Sequence, residues 1–281
     1  MILSELIGAK SQRISWILFV LLSVWSMQAK SSLLDELKRL QKAYPEYIKA
    51  YNEQYIIWND GTKMPVQNSK PNKSIQEKLD SPSLADQLEQ TDYTAGKPIN
   101  ISKFNPVDDP GRIRYEPFFR KMYGNSVNEV RSKLISICWM PKIFGKRCLI
   151  FVTTVNLVDK KLLRISDELE KLISLHPEYR KYLEDVGGTF NWRSIAGTNR
   201  LSAHSFGFTI DINPTYSNYW RWDLEKHGLP LKETTPLIYT NHIPWEIVLI
   251  FEKYGFIWGG KWHHYDTMHF EYRPELFDVS K

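Results

Sequence analysis

The apolar positions divide the chain into a sparse first part and a denser second part. Leu33, Leu34, Leu37, Leu40 and Ala43 recur at helical spacing before Pro45, and a helical reading covers 31–58. A short apolar run, Tyr55 to Trp58, ends at the turn signal Asn59-Asp60-Gly61. From Thr62 to Thr91 the chain is rich in Lys, Ser, Pro, Asn and Gln and poor in large apolar groups, which predicts a partly mobile surface segment or linker. Asp108-Asp109-Pro110-Gly111 marks another turn. Cys148 to Val155 is β-branched and aromatic-rich and predicts a strand. Leu162, Leu163, Leu169, Leu172 and Ile173 form one face of a helix over about 159–175, stopped by Pro177. Gly187-Gly188 opens a turn. Phe206 to Asn213 and Met268 to Tyr272 alternate as strands. Between them a helix starts at Pro244, buries Ile247, Val248, Phe251 and Tyr254, and stops at Gly255.

Strands and helices mixed without a regular βαβ beat predict an α+β fold with an antiparallel sheet. The expected organisation is 1–29 as signal or anchor, 30–105 as a mostly helical extension and linker, and 106–281 as the main domain. The 281 residues carry a formal charge of +5 with no dense basic stripe, so nucleic acid is not an expected partner. Aromatic residues reach 14%, with 10 Trp, which reads first as a core built with large rings.

Lys10 and Arg13 precede an uncharged stretch from Ile14 to Ala29 with its apolar heart at 14–24. This is the pattern of a secretory signal, shorter than the ~20 residues that comfortably span a bilayer. Ser26 and Ala29 offer cleavage points without a clean A-x-A site, and an uncleaved anchor is the alternative. Either way the remainder is expected outside the cytoplasm, in the periplasm or cell envelope or beyond it. There the cysteines, Cys138 and Cys148, form a plausible disulfide, the alternative being two buried thiols.

Two runs could carry chemistry. In Ser202-Ala203-His204-Ser205-Phe206-Gly207-Phe208-Thr209-Ile210-Asp211-Ile212-Asn213, strand alternation puts Phe208, Ile210 and Ile212 on the core face and Asp211 on the other. In the second run, Met268, Phe270 and Tyr272 share one face, and His269 and Glu271 share the other. If the two strands pair, His204, Asp211 and His269 converge. Two imidazoles and a carboxylate are a common catalytic zinc set. Asp266 or Glu271 could then take a proton from water. The competing reading makes His204 and Asp211 local hydrogen-bonding groups and Trp262-His263-His264 a surface patch.

SAHSFGFTIDIN resembles the S-x-H-x-x-G-x-A-x-D signature of the M15 peptidases, the D-Ala-D-Ala metallopeptidases. WGGKWHHYDTMHFEY resembles their second signature, and Trp192-Arg193-Ser194 their Y-R-S segment. The resemblance covers roughly Asp109 to Pro274 and is nearest the branch of L-alanyl-D-glutamate endopeptidases. It implies a small central antiparallel sheet flanked by helices, as in the hedgehog and D-Ala-D-Ala peptidase fold. It also implies Zn2+ held by His204, Asp211 and His269, with Asp266 as general base and acid. Arg193 would stabilise the oxyanion, with Arg200 as its rival. Ser202 is expected to cap a turn or bond near the first ligand. Trp258 and Trp262 would wall the cleft or pack in the core. His263 and His264 are expected at the periphery, with Glu271 orienting a ligand.

Thr209 stands where the family has Ala, and Trp192 where it has Tyr, which leaves pocket shape open. The expected function is hydrolysis of peptidoglycan stem peptides, as an L-Ala–D-Glu endopeptidase or a D-Ala–D-Ala carboxypeptidase. The alternative is a wall-binding or signalling module that keeps the metal without hydrolysis. The presence of both Asp266 and Arg193 argues against it.

Overall fold

Pro45 ends the first helix, and the Tyr- and Ile-rich residues beyond it take up strands instead. In the structure, a computed structural model describing residues 32–68, 70, 72–90, 93–98, 109–145 and 149–277, helix α1 spans Leu33–Ala43. Strands β1 (Ile48–Tyr51), β2 (Tyr55–Trp58) and β3 (Lys63–Pro65) follow as an antiparallel three-stranded sheet. The helical reading of 31–58 therefore holds only as far as Ala43. β-Branched and aromatic side chains favour the pleated surface over a helix once a proline has broken the turn.

The segment read as a linker is also built. Helices α2 (Ile75–Asp80) and α3 (Leu84–Leu88) each begin with a capping box, Ser74 with Glu77 and Ser83 with Asp86. Their Leu79, Leu84, Ala85 and Leu88 are buried. The few apolar residues of 62–91 suffice because the caps satisfy the helix ends locally.

Helices α4 (Glu116–Tyr123) and α5 (Val127–Arg131) lead into the antiparallel pair β4 (Leu134–Cys138) and β5 (Leu149–Thr153), with α6 (Pro141–Phe144) between them. Cys148, one half of the expected disulfide, lies outside the described residues, as do residues 1–29, where a signal or anchor is expected. Helix α7 (Val158–Leu175) packs against both strands and against α9. Strand β6 (Thr209–Asp211), helices α8 (Trp220–Lys226) and α9 (Trp245–Lys253), and strands β7 (Phe256–Trp258) and β8 (His269–Tyr272) complete the chain. The sheet that matters for function is antiparallel, with β8 between β6 and β7.

Trp220 and Leu224 of α8 form a small second cluster with Tyr265, while one main core runs through most of this. Leu37, Leu40, Tyr44 and Ile56 from the first part share it with Phe118, Phe119, Phe208, Ile210 and Phe270. Residues from Leu33 onward form one compact unit. Phe208, Ile210 and Ile212 are fully buried, as strand alternation requires. Phe270 stacks on Phe251 of α9 with ring centroids 3.9 Å apart. The α+β architecture, with its small antiparallel sheets, is the one expected. Among the described residues no helix is long and apolar enough to cross a membrane.

Candidate metal centre

Strand register decides the geometry. On the antiparallel pair β6–β8, Thr209 lies opposite Glu271, Ile210 opposite Phe270, and Asp211 opposite His269. Side chains of directly opposed residues point to the same face, about 5 Å apart at Cβ. Asp211 and His269 therefore meet without any long-range adjustment, His269 Nδ1 lying 2.9 Å from Asp211 Oδ1.

His204 arrives from a single 3-10 turn, Ala203–Phe206, just before β6. Ser202 caps this turn, its Oγ accepting from the His204 N–H, which is the capping role considered for it. Gly207 ends the turn at φ +73°, where a Cβ would meet Leu134 Cδ2 at 2.6 Å. The turn swings His204 back over the strand, and its Nε2 lies 3.1 Å from Asp211 Oδ2.

His204, Asp211 and His269 thus each offer a ligand atom, all within 4.8 Å of one another. The other nitrogen of each imidazole is held. His204 Nδ1 faces the Thr189 carbonyl at 2.9 Å, and His269 Nε2 faces Glu271 Oε2 at 3.2 Å. Each ring is thereby fixed with its remaining nitrogen toward the Asp211 carboxylate, as the outer partners of a metal-ligating histidine do. Two imidazole nitrogens and one carboxylate oxygen suit zinc and leave a coordination position open. The residues present fit that ion.

Thr209, in place of the family's Ala, sends its hydroxyl to the same Thr189 carbonyl at 3.2 Å. It therefore buttresses the acceptor that orients His204. Trp192 packs edge-on against Phe206.

Behind His269 runs a buried charge relay. Arg273 donates from NH1 to Glu271 Oε1 at 3.0 Å and from Nε to Glu275 Oε1 at 2.6 Å. Tyr44, just past α1, donates to Glu275 Oε2 at 2.6 Å. All four side chains are buried. Burial opposes the charge on Glu271, but Arg114, His269 and Arg273 outweigh it and hold the carboxyl at about 2. Burial likewise opposes charge on His269, yet its bonds to Asp211 and Glu271 push it up to about 10. Asp211 is held well below the usual carboxylate range, the two imidazoles overcoming its burial. Arg273 and Glu275 were not foreseen, although Arg273 continues the His269, Glu271 alternation by one more step.

Asp266 sits in the loop before β8. Its backbone oxygen accepts from His269 N–H at 3.2 Å, and its N–H donates to Gly259 O at 3.0 Å. A Cβ on Gly259 would stand 2.6 Å from the Asp266 carbonyl, so this glycine permits the close approach. The Asp266 carboxyl is pushed up to about 7, by burial first and by the Asp211 charge second. Its Oδ1 is buried and makes no hydrogen bond to the described residues.

These groups line a cleft of about 340 Å³ together with Arg193, Arg200 and Trp262. Arg193 is exposed at the rim, and its charge is one of those acting on Asp266. Trp262 walls the cleft, its ring 5.5 Å from that of His269, whereas Trp258 is a core residue donating to Thr267 O. His264 lines the cleft too, its ring held by Asp109 Oδ2 at 2.6 Å. His263 packs edge-on against it, and neither histidine joins the three-residue cluster. Arg112, Arg114 and Arg221 also line the cleft. Sequence spacing gave no sign of them, because they come from segments that only the fold brings together.

No curated protein and no solved structure matches the chain. Residues 196–272 match the family described as D-alanyl-D-alanine carboxypeptidase, a stretch that contains His204, Asp211, Asp266 and His269. With the signature residues gathered in one cleft, this matched segment is similar to the M15 peptidases over residues 196–272.

Proposed function

We propose that the protein is an exported zinc-dependent peptidase that hydrolyses peptidoglycan stem peptides, at the L-Ala–D-Glu bond or at the terminal D-Ala–D-Ala bond. The observation that carries this reading is the cross-strand pair Asp211–His269 with His204 facing it and Asp266 beside it in one cleft. His204, Asp211 and His269 would hold the ion. A zinc ion there supplies a Lewis acid and lowers the pKa of water to near neutrality.

The chain's own groups do the rest. Asp266 takes a proton from the attacking water and returns it to the leaving amine. Its raised pKa makes it a stronger base than an exposed carboxylate. Arg193 presents a cation at the rim, where negative charge develops on the substrate carbonyl oxygen. Trp262 shields one side of the ligand cluster from water. The arginines of the cleft suit a substrate rich in carboxylates.

The test is mass spectrometry of purified muropeptides incubated with the protein, with and without a zinc chelator. Chelator-sensitive loss of terminal D-Ala identifies a carboxypeptidase, and release of L-Ala from the rest of the stem identifies an endopeptidase. No mass change by a zinc-loaded protein would refute the peptidase reading for this substrate and favour a binding module. Export is tested by finding the protein in the envelope or medium fraction, and its recovery in the cytoplasmic fraction would refute it.

A further inference from the structure

A second cavity, of about 240 Å³, adjoins the metal-side cleft, and Arg112, Arg114 and Arg200 line both. Its far wall is Leu79–Pro82, at the end of α2 and the turn beyond it, from the segment whose composition suggested a linker. Phe119 and Phe206 contribute apolar lining.

The three arginines differ in how fully they are used. Arg112 is spent, bonding Asp109 Oδ2 at 3.0 Å and Glu233 Oε1 at 2.8 Å. Among the described residues Arg114 has only long polar contacts, to Gly111 O at 3.4 Å and Glu271 Oε2 at 3.5 Å. Arg200 Nε is buried and makes no hydrogen bond to the described residues, with Asp80 Oδ1 at 3.7 Å. The Arg114 and Arg200 side chains are 14% and 19% exposed. Each guanidinium is a planar fork of N–H donors that matches a carboxylate. Burial pushes the pKa of both down, and the neighbouring arginine charges push the same way. Like charges in a partly dry wall are relieved by an anion placed between them.

We propose that the two cavities form one substrate groove in which Arg114 and Arg200, closed off by Leu79–Pro82, bind a free carboxylate of the peptide near its scissile bond. This rests on the peptidase reading and gives the N-terminal segment a part in substrate selection. Asp80, half exposed at its side chain, competes for Arg200 in the free protein. Arg114 also faces Glu271, so Arg200 and Asp80 are the cleaner handles.

The experiment measures binding rather than turnover. Full-length, zinc-loaded protein carrying Asp266→Asn is titrated with two stem tripeptides identical except that the D-Glu α-carboxylate of one is a carboxamide. Affinities are read by calorimetry. The carboxylate peptide is expected to bind about tenfold tighter, the scale of one charge-assisted contact. Adding Arg200→Gln should bring the two affinities within about twofold, and adding Asp80→Asn should widen the gap. Equal affinities in the parent protein, an unchanged ratio in Arg200→Gln, or no binding of either peptide would overturn the proposal. A wild-type protein that shows the expected binding preference but cleaves neither these peptides nor a stem pentapeptide ending in D-Ala–D-Ala refutes the peptidase reading and leaves the subsite standing.

Discussion

Replacing Glu271 by Gln tests the link between the buried relay and the metal centre. The side chain is fully buried, 3.2 Å from His269 Nε2, 3.0 Å from Arg273 NH1 and 3.5 Å from Arg114 NH1. Its carboxyl is held at about 2 against an ordinary 4.5, because the two arginines and His269 outweigh burial. That difference corresponds to about 3 kcal/mol favouring the charged form in the folded state. The folded pKa is depressed, so this stabilisation is present above about pH 4.5 and vanishes as pH falls through about 2. Gln keeps the shape but removes the anion, leaving Arg273 with Glu275 alone. The expected loss at pH 7 is about 3 kcal/mol, or roughly 6–12 °C in Tm for a domain of this size. Zinc affinity should fall by about 10- to 100-fold, as when other outer-shell partners are lost. Thermal melts at pH 7 and competition against a chromophoric chelator read the two effects. A Tm within about 2 °C of wild type together with an affinity within about twofold would refute the reasoning.

Asp266→Ala should retain zinc and lose turnover by about 10²–10⁴, because a base is removed and no ligand is, whereas His269→Ala should lose both. Metal analysis beside a peptide-cleavage assay separates the two, and peptidase activity surviving in Asp266→Ala would sink the assigned role. The pH profile of kcat/KM should fall about tenfold per unit on its acid side, since protonation removes the base. Burial and the Asp211 charge place this limb near 7 without metal. A cation on Asp211 cancels part of that push, so the loaded enzyme's limb should lie below 7 but above the ordinary 3.8. A flat profile down to about pH 4 would contradict it. Leu40→Ala should cost about 2–5 kcal/mol and lower a single melting transition, because Leu40 is fully buried in the core shared with Phe270. Two separate transitions by calorimetry would show that the first part folds by itself.

The site was legible in sequence wherever its geometry is local. Period-two alternation fixed which faces of 208–213 and 268–272 carry Asp211, His269 and Glu271. Glycine at 207, at φ +73°, permits the bend that turns His204 inward. These are consequences of backbone stereochemistry, which neighbouring residues suffice to specify. The capping boxes of Ser74 and Ser83 were equally local, and they outweigh the polar composition that suggested a linker. Pro45 was a visible signal, yet the change from helix to strand after it was decided by packing of Ile48 and Ile56 against a core supplied from far along the chain.

What only the tertiary structure decided is long-range. The register that sets Asp211 opposite His269 is a choice between strands distant in sequence, and a slip by one residue would turn every side chain to the other face. The relay from Tyr44 through Glu275 and Arg273 to Glu271 and the gathering of Arg112, Arg114 and Arg200 depend on it too. Charges in such clusters act through space and through shared burial. The sequence determined which groups could bind a metal and move a proton, and the fold decided which charges surround them and so how strongly each is held.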